Sequence, residues 1–195
     1  MDPRVTEFHC IMPIDNVVSV MQHGILSHER VARLPHRSVA LQPVQDKRDL
    51  KQVPGGLKLH QYANLYFHAR NPMMFLRLNE LPGLCVLRVS TDVLAIDGTA
   101  ITDQNAASKW VRFLAPQQWR VLDFDDTFAL DWTHPDDQVR YWRHKSRKCA
   151  EVLVPQRVEP RFLTGAYVVD AVAGALLRAA APTLPSVVNP VLFFR

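Results

Sequence analysis

Glycine is scarce in this chain and cysteine scarcer. The seven glycines lie at 24, 55, 56, 83, 98, 165 and 174. No G-x-G-x-x-G and no G-x-x-x-x-G-K-[ST] passes through them, which excludes the usual Rossmann and P-loop phosphate cradles. A nucleotide, if one binds, is held another way. The three cysteines, Cys10, Cys85 and Cys149, are far apart and lack C-x-x-C spacing. They offer neither a disulfide framework nor a zinc knuckle, and they fit reduced thiols in a cytoplasm. The eight histidines never reach H-E-x-x-H or a comparable spacing, so no metal site is expected. No G-x-S-x-G elbow occurs. The longest stretch without a charged residue, Ala179 to Phe194, is broken by Pro182, Pro185, Asn189 and Pro190. A membrane helix needs about 20 mainly apolar residues, so none is expected. The opening MDPRVTEFHC has acids at Asp2 and Glu7 and no apolar segment, and does not read as a secretory signal.

What is present is an ordinary globular composition: 48% hydrophobic and 22% charged residues, too apolar for intrinsic disorder. The 195 residues suit one domain, taken as 1–195, and a compact chain of this size is compatible with a monomer. Lys and Arg number 23 against 19 acids, a net charge of +4. This mild excess of base permits an acidic partner such as nucleic acid without requiring one.

Phe8–Ile11 reads as a short strand. Ile14, Val17, Val18 and Met21 then fall on one helical face, with Asp15 or Asn16 at its start and Gly24 at its end. Ser27 opens a second short helical pattern. Residues 36–60 show little periodicity and read as a long functional loop. Strands are expected at Asn64–His68, Leu84–Val89, Ala150–Val154 and Gly165–Val169. Helices are expected at Asp103–Phe113, with Asp103 as cap, and at Ala171–Ala181. Val187–Phe194 is a strand candidate that Pro190 pushes to an edge. Strands and helices mix without regular alternation, which favours α+β over a doubly wound sheet.

Glu151 stands out. It sits in an apolar strand pattern, after RHKSRKCA and before VLVP. A carboxylate there is costly unless paired or employed. It is either functional or an edge-strand acid paired with Arg147 or Lys148. Arg48 lies between Asp46 and Asp49, so a local salt bridge is its simplest reading. His60 and Tyr62 read equally as functional residues or as a packed pair. WRHKSRK at 142–148 mixes an aromatic residue with cations, as single-strand binders do and as solvated charged faces also do.

Taken together, several strings resemble the DarT family of bacterial DNA ADP-ribosyltransferase toxins. They are IDNVVSVMQHGILSH at 14–28, the arginine of QDKRDLKQVPGG at 45–56, LHQYANLYFHARNPMMF at 59–75, CVLRVS at 85–90, ITDQNAAS at 101–108 and KCAEVLVP at 148–155. Each is weak alone; their order and spacing are specific. The resemblance implies an ADP-ribosyltransferase fold, a small split β-sheet with helices around an NAD cleft. It implies cleavage of the nicotinamide–ribose bond of NAD, used as substrate without a metal. ADP-ribose then goes to a base of single-stranded DNA, thymine in the best-known branch. It also implies a DarG antitoxin whose macrodomain removes the mark.

By position, the resemblance makes Glu151 the catalytic acid and Arg48 the active-site arginine. Asn16, Gly24, Leu26 and Ser27 match the NAD-facing segment, and Tyr62 and Tyr66 are candidates to line the cleft. The basic segment with Trp142, Arg143, His144, Arg147 and Lys148 matches the part that guides the acceptor strand. Asn105 and Ser108 are further candidates for DNA contact. One departure concerns the family's His-x-Thr pair, which grips NAD. Aligned on IDN, its positions hold Cys10 and Met12, with His9 one residue early. A one-residue offset on a strand turns a side chain to the other face. Either a bulge restores His9 or backbone atoms around Ile11 hold the substrate. Alternative readings are a binding module without turnover, and a transferase acting on guanine, RNA or protein. Arg48→Ala is expected to cost activity and little stability.

Overall fold

The computed structural model describes residues 1–195. Ten strands form: β1 Phe8–Pro13, β2 Ile25–Leu26, β3 Tyr62–Tyr66, β4 Leu84–Val89, β5 Ala100–Thr102, β6 Phe113–Leu114, β7 Glu151–Pro155, β8 Arg157–Val158, β9 Leu163–Val168 and β10 Ser186–Val188. Seven α-helices accompany them: α1 Val17–His23, α2 His28–Val31, α3 Gln42–Asp49, α4 Pro72–Phe75, α5 Phe124–Phe128, α6 Gln138–Arg147 and α7 Ala171–Ala180. Eight strands make one sheet in the order β10-β9-β4-β1-β3-β7-β5-β6, and β2 pairs with β8 beside it. Every pairing is antiparallel except β10 with β9. This is the α+β class.

The sheet's centre is dry. β4 reads LCVLRV and β7 reads EVLVP, and both bury nearly all their residues. Such near-continuous apolar strands need cover on both faces. α7 supplies part of it through Ala173 and Leu177, and α1 packs against α7 and β2. Phe8 and Phe67 meet edge-to-face at 5.3 Å beneath the same sheet.

The pairing between β1 and β4 is complete over six residues, whereas β1 and β3 share only His9↔Tyr66. The sheet therefore opens between β1 and β3 towards Met12 and Tyr62. That opening is the floor of the molecule's large cleft.

Several segments differ from the sequence expectations. Within 36–60, Gln42–Asp49 is helical, although its only buried residue is Arg48. It has no apolar stripe for a periodicity argument to find. Residues 103–113 form tight turns ending in β6 rather than a helix. Asp103 spends its carboxylate on the Arg112 backbone and side chain, at 2.9 and 2.6 Å, and caps nothing. The C-terminal strand is only Ser186–Val188, after which Pro190–Phe193 turns as a 3₁₀ helix. Asn16 makes no capping bond to α1; its side chain brackets the Arg37 backbone at 2.7 and 3.0 Å and pins the segment before α3.

Candidate active site

β7 lies between β3 and β5, so Glu151 is an interior residue and not an edge one. Tyr66 is its cross-strand partner, and its own N–H donates to Thr102 Oγ1 at 2.9 Å. The carboxylate is only 1% exposed. Its counter-ion is neither Arg147 nor Lys148. Arg48, in the last turn of α3 and itself 5% exposed, reaches it from across the cleft. Arg48 Nη1 donates to Oε1 at 3.1 Å and to Oε2 at 2.9 Å. The Ala106 N–H donates to Oε1 at 2.9 Å. Oε1 thus has two protein donors and Oε2 one, which leaves acceptor capacity on Oε2. The local ion pair expected for Arg48 with Asp46 or Asp49 does not form.

The groups packed nearest the pair are held neutral. Burial, reinforced by Glu151, holds the Tyr66 phenol well above its ordinary range. Burial pushes the Cys10 and Cys149 thiols up to about 12. Neither cysteine is then a thiolate nucleophile at neutral pH. No group of three or more His, Cys, Asp or Glu residues is arranged to hold a metal ion.

Glu151 and Arg48 lie in the wall of a cleft of about 690 Å³, a volume within the range of ligand sites. Cys10, Ile11, Met12, Asn16, Gly24 and Leu26 line it from the β1–α1–β2 side, and Tyr62 and Tyr66 from β3. Asn105, Ser108 and Trp142 line the side nearest Glu151. Tyr62 is only 2% exposed, and its hydroxyl accepts from the Leu57 N–H at 3.1 Å, so it braces the turn before β3.

The remaining expected site residues point elsewhere. His9 accepts the Ala69 N–H at Nδ1, at 3.0 Å, and its Nε2 meets Glu7 at 3.1 Å. No bulge brings it into the cleft. Ser27 is fully buried and caps α2 through the Arg30 N–H. His144 is buried against His134 and the Asp126 carbonyl. Arg147 pairs with Asp123 and Asp126, at 2.9 and 2.7 Å. Lys148 is fully buried and donates to the Thr127 and Ala129 carbonyls at 2.8 and 2.6 Å. Arg143 is exposed outside the cleft. The basic segment is a helix, and only one of its faces, Trp142 with Lys145 and Ser146, looks into the cleft. Sequence reasoning missed Lys145, the Ala106 amide and Asn64. Asn64 alone left a signal, the alternation Tyr62, Asn64, Tyr66 along β3.

Known proteins resemble this chain in sequence and fold. The family described as ssDNA thymidine ADP-ribosyltransferase, DarT, matches residues 8–192. A DNA ADP-ribosyl transferase–DNA ADP-ribosyl glycohydrolase fusion protein of Thermosipho africanus is 31% identical over the whole chain. The chain spans 51% of that protein's length. A DNA ADP-ribosyl transferase of Thermus sp. is 33% identical over 78% of this chain and 76% of its own. The Thermosipho africanus DarTG structure, in complex with ADP-ribose, covers 96% of this chain with a TM-score of 0.81 at 29% identity, and 51% of its own chain is matched. The Thermus sp. 2.9 DarT structure in complex with ADP-ribosylated ssDNA has the same fold, with a TM-score of 0.81 at 21% identity over 98% of this chain and 97% of its own. The match runs from the first strand to the last turn, so the chain belongs to the DarT family.

Proposed function

We propose that this protein transfers ADP-ribose from NAD to a base of single-stranded DNA, with thymine as the acceptor. The observation that carries the reading is the buried Arg48–Glu151 pair at the head of a nucleotide-sized cleft. Family membership and the substrates named for the relatives support the same reading.

The chemistry follows from the pair. As the bond between nicotinamide and ribose C1′ breaks, nicotinamide leaves with the bonding electrons and positive charge grows on the ribose. A fixed carboxylate, already oriented by Arg48 and the Ala106 N–H, stabilises that charge without reorganising. Its Oε2 has capacity to accept a ribose hydroxyl. A ring nitrogen of the base then attacks C1′, and its proton passes to Glu151 as general base. Arg48 uses Nη1 on Glu151, and its other N–H groups serve the pyrophosphate or a base carbonyl. Cys10 and Met12 offer no strong hydrogen bond where the family pattern has His-x-Thr. Polar grip on NAD then falls to Asn16, Asn64 and the strand backbone around Ile11.

The mark calls for a partner that removes it, a macrodomain antitoxin of the DarG type. The Thermosipho relative, named as a fusion with a DNA ADP-ribosyl glycohydrolase, joins two such activities in one chain. Monomeric action in the cytoplasm belongs to the same reading. No helix of the structure is long and apolar enough to cross a membrane.

The test is incubation of the purified protein with NAD and a panel of single-stranded oligonucleotides, read by mass. A thymine-containing oligonucleotide gains one ADP-ribose and nicotinamide is released, and Glu151→Ala abolishes both. Oligonucleotide binding without product would make the chain a binding module. Product on guanine, RNA or protein alone would overturn the choice of acceptor.

A further inference from the structure

Beside Glu151, the turns at 103–112 are unusually well tethered for a segment without regular structure. The Asn105 N–H donates to the Ser146 carbonyl of α6 at 2.9 Å, and the Ala106 N–H to Glu151. The Ala107 N–H bonds the Asn105 side chain at 2.8 Å, and the Ser108 N–H the Asn105 carbonyl at 2.9 Å. Lys51, just beyond α3, donates to the Ser108 carbonyl. Arg112 closes the far end on Asp103. The segment is thus held from the Glu151 side, the α6 side and the Arg48 side together.

At its tip sits Trp110, 76% exposed. Its N–H reaches the Ser108 hydroxyl at 3.4 Å, and its indole packs under no other aromatic ring. The Lys109 ammonium lies 4.9 Å from the ring centroid. Two residues back, Ser108 lines the cleft. Trp142, which lines the cleft with Ser108, is 61% exposed, with Lys145 a turn further along α6. An open indole on a tethered turn, with an adjacent cation, is what an unpaired base and its phosphate require. Base–aromatic stacking tolerates any base, while the cation meets the backbone.

We infer that Trp110 is the stacking platform for a nucleotide flanking the acceptor base, with Lys109 meeting the adjoining phosphate. Trp110 positions the strand and does not touch the reacting atoms. The inference rests on the proposed transfer to single-stranded DNA and adds which residue fixes the strand's register. A protein partner could also cover an exposed tryptophan. The bond from Ala106, in the same turns, to the Glu151 carboxylate favours the acceptor strand instead.

The experiment compares the wild type, Trp110→Ala and Trp110→Phe on a modified oligonucleotide and on versions with one abasic site at each position in turn. Stacking of one base sets the scale, about tenfold or more in oligonucleotide KM. Trp110→Ala raises that KM tenfold or more and leaves the KM for NAD within twofold. Trp110→Phe stays within threefold of wild type. In the wild type, an abasic site beside the modified base carries the same tenfold cost; in Trp110→Ala that position-specific cost disappears. An unchanged oligonucleotide KM in Trp110→Ala, or an abasic cost that persists at the same position, would overturn the inference. A wild type that modifies no oligonucleotide would instead overturn the proposed function itself.

Discussion

Arg48 and Glu151 are both nearly withdrawn from water, so removing either strands the other's charge. Breaking a buried pair from one side costs about 3–5 kcal/mol. Arg48→Ala is therefore expected to lose stability as well as activity, contrary to the expectation from sequence of a loop arginine with local acids. The double variant Arg48→Met, Glu151→Leu removes both charges and recovers most of that loss, while activity stays absent. Urea midpoints for the two singles and the double check this; additive losses would mean that the two groups do not interact. The acid was legible in the sequence because a glutamate in AEVLVP has no cheap reason to be there. Its partner was not legible from the local residues, where the nearest cations in sequence are Arg147 and Lys148; only the family resemblance put Arg48 in the same site. The observed one lies 103 residues away, on a helix that buries nothing else. Lys148 shows the converse: a charge placed by its sequence in a DNA-binding run is fully buried on carbonyls.

Apolar strands were the readable elements, because their burial writes itself as unbroken runs such as LCVLRV. Polar elements were not. α3 reads QPVQDKRD, and the turns at 103–112 imitate a capped helix while sending their amides to Glu151, Ser146 and Asn105. The segment from α1 to β2 shows how an element edge sets the cleft wall. Gly24 ends α1 at φ +84°, and its N–H bonds the Val20 carbonyl at 2.8 Å. A Cβ there would sit 2.1 Å from the Val158 carbonyl oxygen, in the strand that pairs with Ile25. Gly24→Ala thus strains the backbone and wedges β2 from β8. The expected cost is about 2–4 kcal/mol in thermal or urea unfolding. The KM for NAD should rise with it, since Leu26 lines the cleft. A variant that keeps its melting temperature would show that the wall yields.

Over the whole molecule, stability follows pH through buried groups other than the Arg48–Glu151 pair. Glu7 is partly buried, which alone would raise its pKa. His9, Arg88 at 2.6 Å and Tyr167 outweigh that and hold it at about 2, against 4.5 when unfolded. A carboxyl lowered in this way stabilises the fold above pH 4.5, and the contribution is lost as pH falls towards 2. The amount is about 1–2 kcal/mol after allowance for solvent screening. Lys148 acts on the alkaline side. Burial lowers its ammonium to about 7, against 10.5 when unfolded. Above pH 7 the unfolded chain carries the extra proton, so stability rises with pH. The rise ends where the buried thiols take over. Cys10 and Cys149, pushed up to about 12, stay protonated in the fold, while their unfolded counterparts ionise from 9.0 and pull the equilibrium towards the unfolded chain. Burial also lowers the His68 imidazole to about 3, against 6.5 when unfolded, so the unfolded chain takes up the extra proton below 6.5. The stability curve therefore falls below pH 6.5, more steeply below 4.5 where Glu7 joins, rises again from 7, and has its maximum near pH 9. Urea midpoints taken across pH 3–11 trace it. Glu7→Gln should flatten only the steeper part below 4.5 and leave the fall from 6.5 that His68 sets. Lys148→Met should remove only the rise from 7 to 9, while lowering the whole curve because the Thr127 and Ala129 carbonyls lose their donor. A rise that survives in Lys148→Met would mean that this lysine keeps its proton in the fold, paired through those carbonyls as a buried cation.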